Sequence, residues 1–354
     1  MAKIFTINPG STSTKIGIFE DDKLVIEQSL AHNPEELAKY SSVWEQIDFR
    51  KNILLKFLED NNINIDDFDA VVGRGGLMKP IVSGTYEVSK AMLDDFTSAK
   101  YGEHASNLGA KLALELKGKK ARAFIVDPVV VDELAPIARV SGQEGTERIS
   151  IFHALNQKAV AKRFASEVGK GYTELNLIVA HMGGGVSIGA HKKGMVVDVN
   201  NALDGDGPFS PERAGGIPVR DVIRIAYSGE FTEAQLRKHF VGKGGLMSYF
   251  GTQDAREVSK MAHEGDEKAQ IVYEAMAYQI AKEIGACASV LEGNVDAILL
   301  TGGIAHDKEF VGWITKRIEW IAPVHAYPGE DELEALAQGG LRVLRGEEEA
   351  KTYA

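Results

Sequence analysis

The 354-residue chain has very little cysteine, a deficit of positive charge and no long hydrophobic run. Its one cysteine, Cys287, excludes an intramolecular disulfide. Because Cys287 lies on the apolar face of a helix predicted over residues 274–291, we expect a buried structural thiol. No apolar run approaches the ~20 residues of a membrane span, and the N-terminus shows no signal-peptide pattern. We therefore expect a cytoplasmic protein without a membrane partner.

Lys and Arg number 40 against 51 Asp and Glu, so the net charge is −11. An acidic surface argues against nucleic acid as a partner, although a pocket can still bind an anionic small molecule. Hydrophobic residues at 44% and charged residues at 26% are typical of a globular protein. A chain of 354 residues is long enough for two domains with sizeable cores.

Two segments share one pattern of strand, glycine turn, strand, turn and strand: residues 3–29 and residues 176–199. Later in each half, Asp69 and Asp296 precede a hydrophobic strand that ends in glycines. Strands alternate with helices, so we expect an α/β class. The repetition indicates a duplicated fold with two domains and a central cleft, against the alternative of chance similarity. Helices are predicted over residues 34–61, 102–116, 151–168, 232–240, 254–263 and 267–291.

The turn after the first strand carries four consecutive hydroxyl residues and a lysine, in the stretch NPGSTSTK at residues 8–15. Gly10 opens the turn, and hydroxyl groups with backbone amides can converge there on one anion. The loop joins two strands, so it is not a Walker A loop, which opens a helix. An ordinary Ser/Thr-rich hairpin turn is the alternative. The predicted phosphate-binding residues are Asn8, Ser11, Ser13 and Lys15.

This stretch resembles the N-terminal signature of the acetate and butyrate kinase family. The resemblance runs along essentially the whole chain, through GRGGL (73–77), VDPVVVDE (126–133) and IFHALNQ (151–157). It implies the duplicated actin-like ATPase (ribonuclease H-like) fold. It also implies phosphorylation of butyrate or a related short-chain carboxylate, with ATP and ADP as co-substrates and Mg²⁺ as cofactor. We further expect a homo-oligomer, a dimer or larger.

The resemblance assigns catalytic roles to five residues. Arg74 would bind the substrate carboxylate and Arg213 the transferring phosphoryl group, since a guanidinium can hold such oxygens bidentately. Asp127 would lie near the magnesium and the reaction centre. His153 would hydrogen-bond the phosphoryl group, and His104 would have a weaker role. Without the resemblance, surface arginines, a turn cap and a structural histidine are the alternatives.

The nucleotide is expected mainly on the second half of the chain. The stretch HMGGG (181–185) repeats the first phosphate loop with backbone amides in place of hydroxyls. The stretch TGGIAH (301–306) resembles the adenosine-binding Gly-Gly motif of this fold, and DAR (254–256) resembles an element near the adenine pocket. The residues assigned to the nucleotide are His181, Gly183, Gly184, Gly185, Asp254, Arg256, Gly302 and Gly303.

Glu332 matches the magnesium-associated glutamate of the family, with Asp127 as the second ligand and Asp331 as the alternative to Glu332. Magnesium prefers hard oxygen ligands and keeps several waters, so one or two carboxylates suffice. An exposed acidic turn is the alternative. The first domain is expected over residues 1–146, with residues 334–354 returning to it, and would hold the acyl substrate and the phosphate loop. Residues 147–333 would form the nucleotide-binding domain.

Two departures from acetate kinases bear on specificity. Gly184 stands where those enzymes carry an asparagine, which leaves only backbone donors. Gly75 and Gly76 directly follow Arg74, where acetate kinases carry bulky valines. We expect the missing side chains to leave space for a longer acyl chain.

Two other functions are consistent with the same fold class. A sugar or glycerol kinase would need a base for its hydroxyl substrate and a polar pocket, whereas Leu77, Met78 and Phe152 suit an acid with an apolar tail. A non-catalytic, nucleotide-dependent module would normally carry a client-binding extension or a polymer contact. ADP formation that depends on added butyrate discriminates the carboxylate kinase from the non-catalytic module.

Overall fold

A computed structural model describes residues 1–203 and 205–354. The chain forms two compact units. The first unit comprises Met1–Val131 and Asp331–Ala354, so the C-terminal segment returns to the N-terminal part of the chain. The second unit comprises Asp132–Glu330.

The unit boundaries lie earlier in the chain than the sequence placed them, at 131/132 and 330/331 instead of 146/147 and 333/334. Residues just after the first boundary are tied to the second unit. Ala135 donates its N–H to the Val197 carbonyl at 2.9 Å. Glu133 forms a 2.6 Å ion pair with the fully buried Lys158. These contacts explain why the segment packs with the second unit.

Strands and helices alternate along most of the chain, as the α/β prediction requires. The strands are β1 (Lys3–Pro9), β2 (Ser13–Glu20), β3 (Lys23–Ala31), β4 (Ala70–Arg74), β5 (Thr85–Glu87), β6 (Arg122–Val126), β7 (Asn176–Met182), β8 (Val186–Lys192), β9 (Met195–Val199), β10 (Ala297–Gly302), β11 (Val324–Pro328) and β12 (Lys351–Thr352). The helices are α1 (Pro34–Leu37), α2 (Ile47–Asp60), α3 (Lys90–Thr97), α4 (Leu108–Leu116), α5 (Pro136–Arg139), α6 (Ala154–Glu167), α7 (Val219–Ala226), α8 (Glu233–Phe240), α9 (Gly245–Phe250), α10 (Ala255–His263), α11 (Glu267–Val290), α12 (Lys308–Ile318) and α13 (Glu332–Leu344).

Each unit contains one mixed sheet, and the two sheets share a common core of strands. The order is β12-β5-β6-β4-β1-β2-β3 in the first unit and β11-β10-β7-β8-β9 in the second. In both, an antiparallel meander of three strands lies beside a parallel strand. The second strand of each meander has a register shift at the same distance from its turn, between Ile18 and Phe19 and between Ala190 and His191.

The two aspartates noted in the sequence make matching contacts. Lys3 donates its N–H to Asp69 Oδ2, and Asn176 donates its N–H to Asp296 Oδ2, both at 2.8 Å. Each aspartate returns its own N–H to the carbonyl of the same partner, again at 2.8 Å. Together with the shared strand order, these contacts confirm the predicted duplication.

The hydrophobic cores lie between the sheets and their covering helices. In the first unit, Phe5 and Ile16 of the sheet pack with Leu54 of α2 and Leu108 of α4. In the second unit, α11 lies on β8 and carries Cys287, which is 4% exposed. Burial raises the pKa of the Cys287 thiol well above its usual value. The expectation of a buried structural thiol is confirmed.

Two predicted helices are wrong in their extent. The helix predicted over residues 102–116 begins only at Leu108, after the 3₁₀ helix Ala105–Asn107. Residues 34–61 form the short α1 and the separate α2, because the intervening segment AKYSSV (38–43) breaks the helical ladder before Trp44. Ser side chains compete for backbone hydrogen bonds, and Ser42 Oγ indeed accepts the Glu45 N–H at 3.4 Å. Helices α3, α5, α7, α9, α12 and α13 lie outside the predicted set. Within the described part of the chain, no helix is long and apolar enough to cross a membrane.

Candidate active site

Three predicted residues from separate segments meet at one edge of the first unit's sheet. Arg74 ends β4 and Asn8 lies near the end of β1, and these strands are parallel neighbours. Glu332, the first residue of α13, accepts a hydrogen bond from Asn8 Nδ2 and forms an ion pair with Arg74 Nη1. Arg74 Nη1 also lies 3.4 Å from Asn8 Oδ1. The structure thus places a carboxylate on the arginine predicted to bind one.

The hydroxyl loop (residues 10–13) joins β1 to β2. Gly10 donates its N–H to the Ser13 carbonyl at 2.8 Å, which closes the turn. Ser11 and Thr12 are exposed within the turn. Both residues are therefore accessible to a ligand from solvent.

Side-chain alternation along β2 separates the hydroxyl residues into two groups. Successive side chains of a strand face opposite sides of a sheet, so Ser13 and Lys15 face one side and Thr14 the other. Thr14 is fully buried in the core. Lys15 lies opposite Asn8 in the β1–β2 register, and opposed residues share a face. Three of the four predicted phosphate residues are therefore on one face.

Asp127 follows β6 and is 2% exposed. Its Oδ1 accepts hydrogen bonds from Ser83 Oγ and from the Gly84 N–H, both at 2.7 Å. Its backbone φ is +37°, a region that costs a non-glycine residue about 1–3 kcal/mol. Such strain is typical of functional sites, and it supports the catalytic hypothesis for Asp127.

Both predicted magnesium ligands belong to the first unit and have protein partners there. Glu332 contacts Arg74 and Asn8, and Asp127 contacts Ser83. In residues 1–203 and 205–354, no group of three or more His, Cys, Asp or Glu is arranged to hold a metal ion. Two hard carboxylates nevertheless fit Mg²⁺, which keeps waters and takes further oxygens from phosphate. Magnesium binding by these residues stays a prediction.

His104 caps the short 3₁₀ helix Ala105–Asn107. Its Nδ1 lies 2.8 Å from Ser106 Oγ and accepts the Ser106 N–H at 3.2 Å. This is a structural role, of the kind that the sequence left open. A catalytic role for His104 stays a prediction.

Two histidines predicted for separate roles lie face to face in the second unit. The ring centroids of His153 and His181 are 3.9 Å apart, and the ring planes differ by 14°. Nδ1 of His153 lies 2.9 Å from Ser187 Oγ. Nδ1 of His181 lies 2.8 Å from Asn156 Oδ1. These two partners fix the orientation of the stacked rings.

The glycine loop (residues 183–185) joins β7 to β8. Ser210 Oγ donates to the Gly184 carbonyl at 2.6 Å. The Arg213 guanidinium fills the space beside Gly185, because a Cβ at that position would lie 2.0 Å from Arg213 Nη1. The structure thus brings the predicted phosphoryl-binding arginine into contact with the predicted phosphate loop.

Gly302 ends β10 next to the start of the glycine loop. Its φ is +91°, and a Cβ there would lie 2.4 Å from the Met182 carbonyl oxygen. Gly302 and Gly329 exchange backbone hydrogen bonds of 3.0 and 3.1 Å. At Gly303, by contrast, a Cβ would meet nothing within 4 Å. The close backbone approach expected of this motif is present at Gly302, and Gly303 faces open space.

Asp254 and Arg256 have a local role at the start of α10. Asp254 Oδ1 accepts the Arg256 N–H at 2.9 Å, and Arg256 Nη2 donates to Asp254 Oδ2 at 2.6 Å. The hydrogen bonds from Arg256 lower the pKa of Asp254 to about 2. The pair forms a helix cap, and its contact with adenine stays a prediction.

Gly75 and Gly76 do not leave space for a longer acyl chain, so that expectation is wrong. A Cβ at Gly76 would lie 2.1 Å from Asn107 Oδ1 and 2.6 Å from Asn107 Cα. A Cβ at Gly75 would lie 2.7 Å from Pro128 Cβ. Neighbouring atoms fill both positions. The glycines are required for close packing.

The sequence reasoning missed the side chains that orient the histidines. Asn156 and Gln157 lie in the first turn of α6 and are almost fully buried. Gln157 Nε2 donates to Ser187 Oγ at 2.8 Å, and Ser187 in turn contacts His153. Buried amide side chains need hydrogen-bond partners. In the sequence, the signal for this role was the pair of adjacent amide residues Asn156 and Gln157, which follow the candidate histidine His153 closely.

Comparisons with known proteins identify the family of the chain. The model of the acetokinase family matches residues 137–319. Butyrate kinase 1 of Clostridium acetobutylicum is 56% identical over 354 residues, 100% of both chains. Butyrate kinase 2 of the same organism is 56% identical over 352 residues, 99% of both chains. The crystal structure of Porphyromonas gingivalis acetate kinase superposes with a TM-score of 0.82 at 19% identity, covering 97% of this chain and 100% of that one.

Proposed function

The chain belongs to the acetokinase family, and on that premise we propose that it transfers the γ-phosphate of ATP to butyrate or a closely related short-chain acid. The chain is an enzyme of the carboxylate kinase class. In the reaction, a carboxylate oxygen bonds to the γ-phosphorus while the bond to the β–γ bridging oxygen breaks. The products are the acyl phosphate and ADP.

The observation that carries the proposal for the acid is the Arg74–Glu332 ion pair. This ion pair supports carboxylate binding by Arg74, because its guanidinium at the end of β4 is already oriented toward a carboxylate. Asn8 adds an amide donor beside it. A carboxylate substrate is already ionised, so this unit needs no strong general base. The first unit is therefore assigned the acid.

The second unit is assigned the nucleotide. Phosphoryl transfer is catalysed mainly by positioning and by stabilising charge on the phosphoryl oxygens. Arg213 beside Gly185 supplies positive charge, and the loop amides supply hydrogen-bond donors. His153, oriented through Ser187, is proposed to hydrogen-bond the phosphoryl group.

We propose that Asp127 and Glu332 hold a magnesium ion, which would supply charge neutralisation at the phosphates. The residues themselves support this assignment only through their hard carboxylate oxygens. We also propose a cytoplasmic location and a homo-oligomer, a dimer or larger.

The direct test is ADP formation by the purified chain with ATP, Mg²⁺ and butyrate, with hydroxylamine present to trap the acyl phosphate as a hydroxamate. We expect ADP and hydroxamate in equal amounts, and neither without butyrate. ADP formation that is independent of the acid would contradict the proposal and favour a non-catalytic ATPase module.

A panel of linear and branched acids tests the choice of substrate. One methylene group changes kcat/KM by only about 10- to 200-fold in an apolar pocket. We therefore expect butyrate to lead, with overlapping use of propionate, isobutyrate and valerate. A preference for acetate would contradict the proposed substrate but not the proposed class.

A further inference from the structure

A buried arginine that no predicted role uses lies directly behind the hydroxyl loop. Arg50, on α2, is 1% exposed. Its Nη1 donates to the Gly10 carbonyl at 2.8 Å and to the Ser13 carbonyl at 3.3 Å. Its Nη2 donates to the Ser11 carbonyl at 3.4 Å. Gln46 Oε1 holds the other side of the guanidinium, at 3.1 Å from Nε and 2.9 Å from Nη2.

The remaining carbonyl of the loop is also held by the protein. His32 donates its N–H to the Thr12 carbonyl at 2.9 Å. All four carbonyls of the hydroxyl loop therefore accept hydrogen bonds from the protein, three of them from Arg50. In a trans peptide the C=O and the following N–H point in opposite directions, and the described residues contain no cis peptide bond. The amides of Ser11 and Thr12, which follow the Gly10 and Ser11 carbonyls, consequently face away from Arg50.

Among residues 1–203 and 205–354, Arg50 forms no ion pair with an acid. Its hydrogen-bond acceptors are backbone carbonyls, Gln46 and Thr14 Oγ1 (3.2 Å). Burial lowers the pKa of Arg50 to about 10, so the guanidinium is still protonated at neutral pH. Lys158 in the second unit, by contrast, is equally buried but forms an ion pair with Glu133. Burying a cation without a carboxylate partner lowers the stability of the fold. Such a cation is better explained if it stabilises a bound anion.

We propose that Arg50 is a positioning residue of the phosphate site: it holds the carbonyls of the hydroxyl loop inward, so that the loop amides and the uncompensated positive charge attract the terminal phosphates of ATP. This inference rests on the proposed function, because it takes ATP as the anion bound by the loop. Arg50 acts through the loop and does not touch the ligand itself.

The experiment compares Arg50→Met and Arg50→Lys with Leu54→Ala, a matched control on the same helix. Leu54 is fully buried among apolar side chains of the first unit's core. Two readouts are needed: KM for ATP against KM for butyrate, and the ratio of the binding affinities for ATP and AMP. AMP has no terminal phosphates, so a general loss of structure weakens both nucleotides alike.

For Arg50→Met we expect kcat/KM for ATP to fall roughly 10- to 100-fold, with KM for butyrate changed by less than about threefold. The affinity ratio of ATP to AMP should fall by a similar factor. Arg50→Lys keeps the charge and should recover part of the loss. Leu54→Ala should lower the melting temperature without changing the affinity ratio.

If Arg50→Met does not fold, Gln46→Met provides the same test, because it removes two of the hydrogen bonds that hold the guanidinium. An unchanged ATP-to-AMP ratio in folded Arg50→Met, or in Gln46→Met where Arg50→Met does not fold, would overturn the inference. A wild-type enzyme without butyrate-dependent phosphorylation would instead refute the proposed function, which is a separate outcome.

Discussion

The first and second units each carry a short loop after their first strand, and the two loops are supported in different ways. The hydroxyl loop has side chains on all but one residue, and a buried arginine holds its carbonyls from the interior. The glycine loop has no side chains. There a serine hydroxyl holds one carbonyl, and Arg213 occupies the space that a side chain at residue 185 would take.

This difference shows that one duplicated strand–turn–strand framework can place a positive charge in two positions: buried behind the loop, or in direct contact with it. In the first unit the cation is buried, so a ligand would be bound by the amides and hydroxyl groups of the loop. In the second unit the absence of side chains lets the guanidinium itself reach the loop. The comparison leads to three predictions, which differ in the unit they affect and in expected size.

The largest expected effect is in the first unit. Arg74→Met removes the guanidinium proposed to hold the acid, so kcat/KM for butyrate should fall by about 100- to 1,000-fold. KM for ATP should change little. Arg345→Met is a matched control, because Arg345 forms an exposed 2.7 Å pair with Asp22 in the same unit. Steady-state kinetics in both substrates measure the effect, and an unchanged KM and kcat for butyrate would remove Arg74 from the acid site.

The next effect is in the second unit. Gly185→Ala places a Cβ on the Arg213 guanidinium, which has to move. We expect kcat to fall by roughly 100-fold, the loss typical of one missing stabilising group. At Gly184 a Cβ meets Glu212 Oε1 at an ordinary 3.5 Å, so Gly184→Ala should lose less than about tenfold. Equal losses in the two variants would show that the Arg213 contact is not what matters.

The smallest effect concerns stability. Burial and the charge of Arg50 lower the pKa of His32 to about 4, and burial with Lys158 lowers that of His191. Between pH 6.5 and 4 the unfolded chain binds protons that these folded histidines do not. The free energy of unfolding should therefore decrease as the pH falls, by at most about 1.4 kcal/mol per pH unit for each histidine.

Urea unfolding at several pH values measures this slope, and His32→Gln should make it shallower. His263→Gln is the control. His263 is exposed, and its pKa is raised by the Ser259 carbonyl and by Glu309. Its removal should therefore not make the free energy of unfolding depend less steeply on pH in the acid range. A slope that is the same in wild type and His32→Gln would show that His32 is not the neutral buried group described.

Local pattern was enough to predict the framework of the fold. The repeated meander and the aspartates Asp69 and Asp296 could be read from the sequence, because alternating burial and turn residues are local properties. The close approach of Arg74 to Asn8 also follows from two strands that end at one edge. The stacking of His153 on His181 was not predictable, since it depends on where α6 packs against β7.

Features that depend on tertiary neighbours were missed or misjudged. Nothing in the sequence marks Arg50 as buried, because arginine is mostly exposed. Gly76 suggested empty space, but a sequence shows only that a side chain is absent and not which atoms fill its place. Asn107 fills it. The packing of residues 132–146 with the second unit likewise depends on the buried Lys158–Glu133 pair.

The central claim is that a carboxylate oxygen attacks the γ-phosphorus of ATP. Butyrate labelled with heavy oxygen in its carboxyl group tests this claim most directly, with ATP, the enzyme and hydroxylamine. Hydroxylamine attacks the acyl carbon of butyryl phosphate, so the released phosphate keeps the bridging oxygen. The account predicts one heavy oxygen in each phosphate by mass spectrometry. Phosphate released without the label would mean that water, not the acid, accepts the phosphoryl group, and would contradict it.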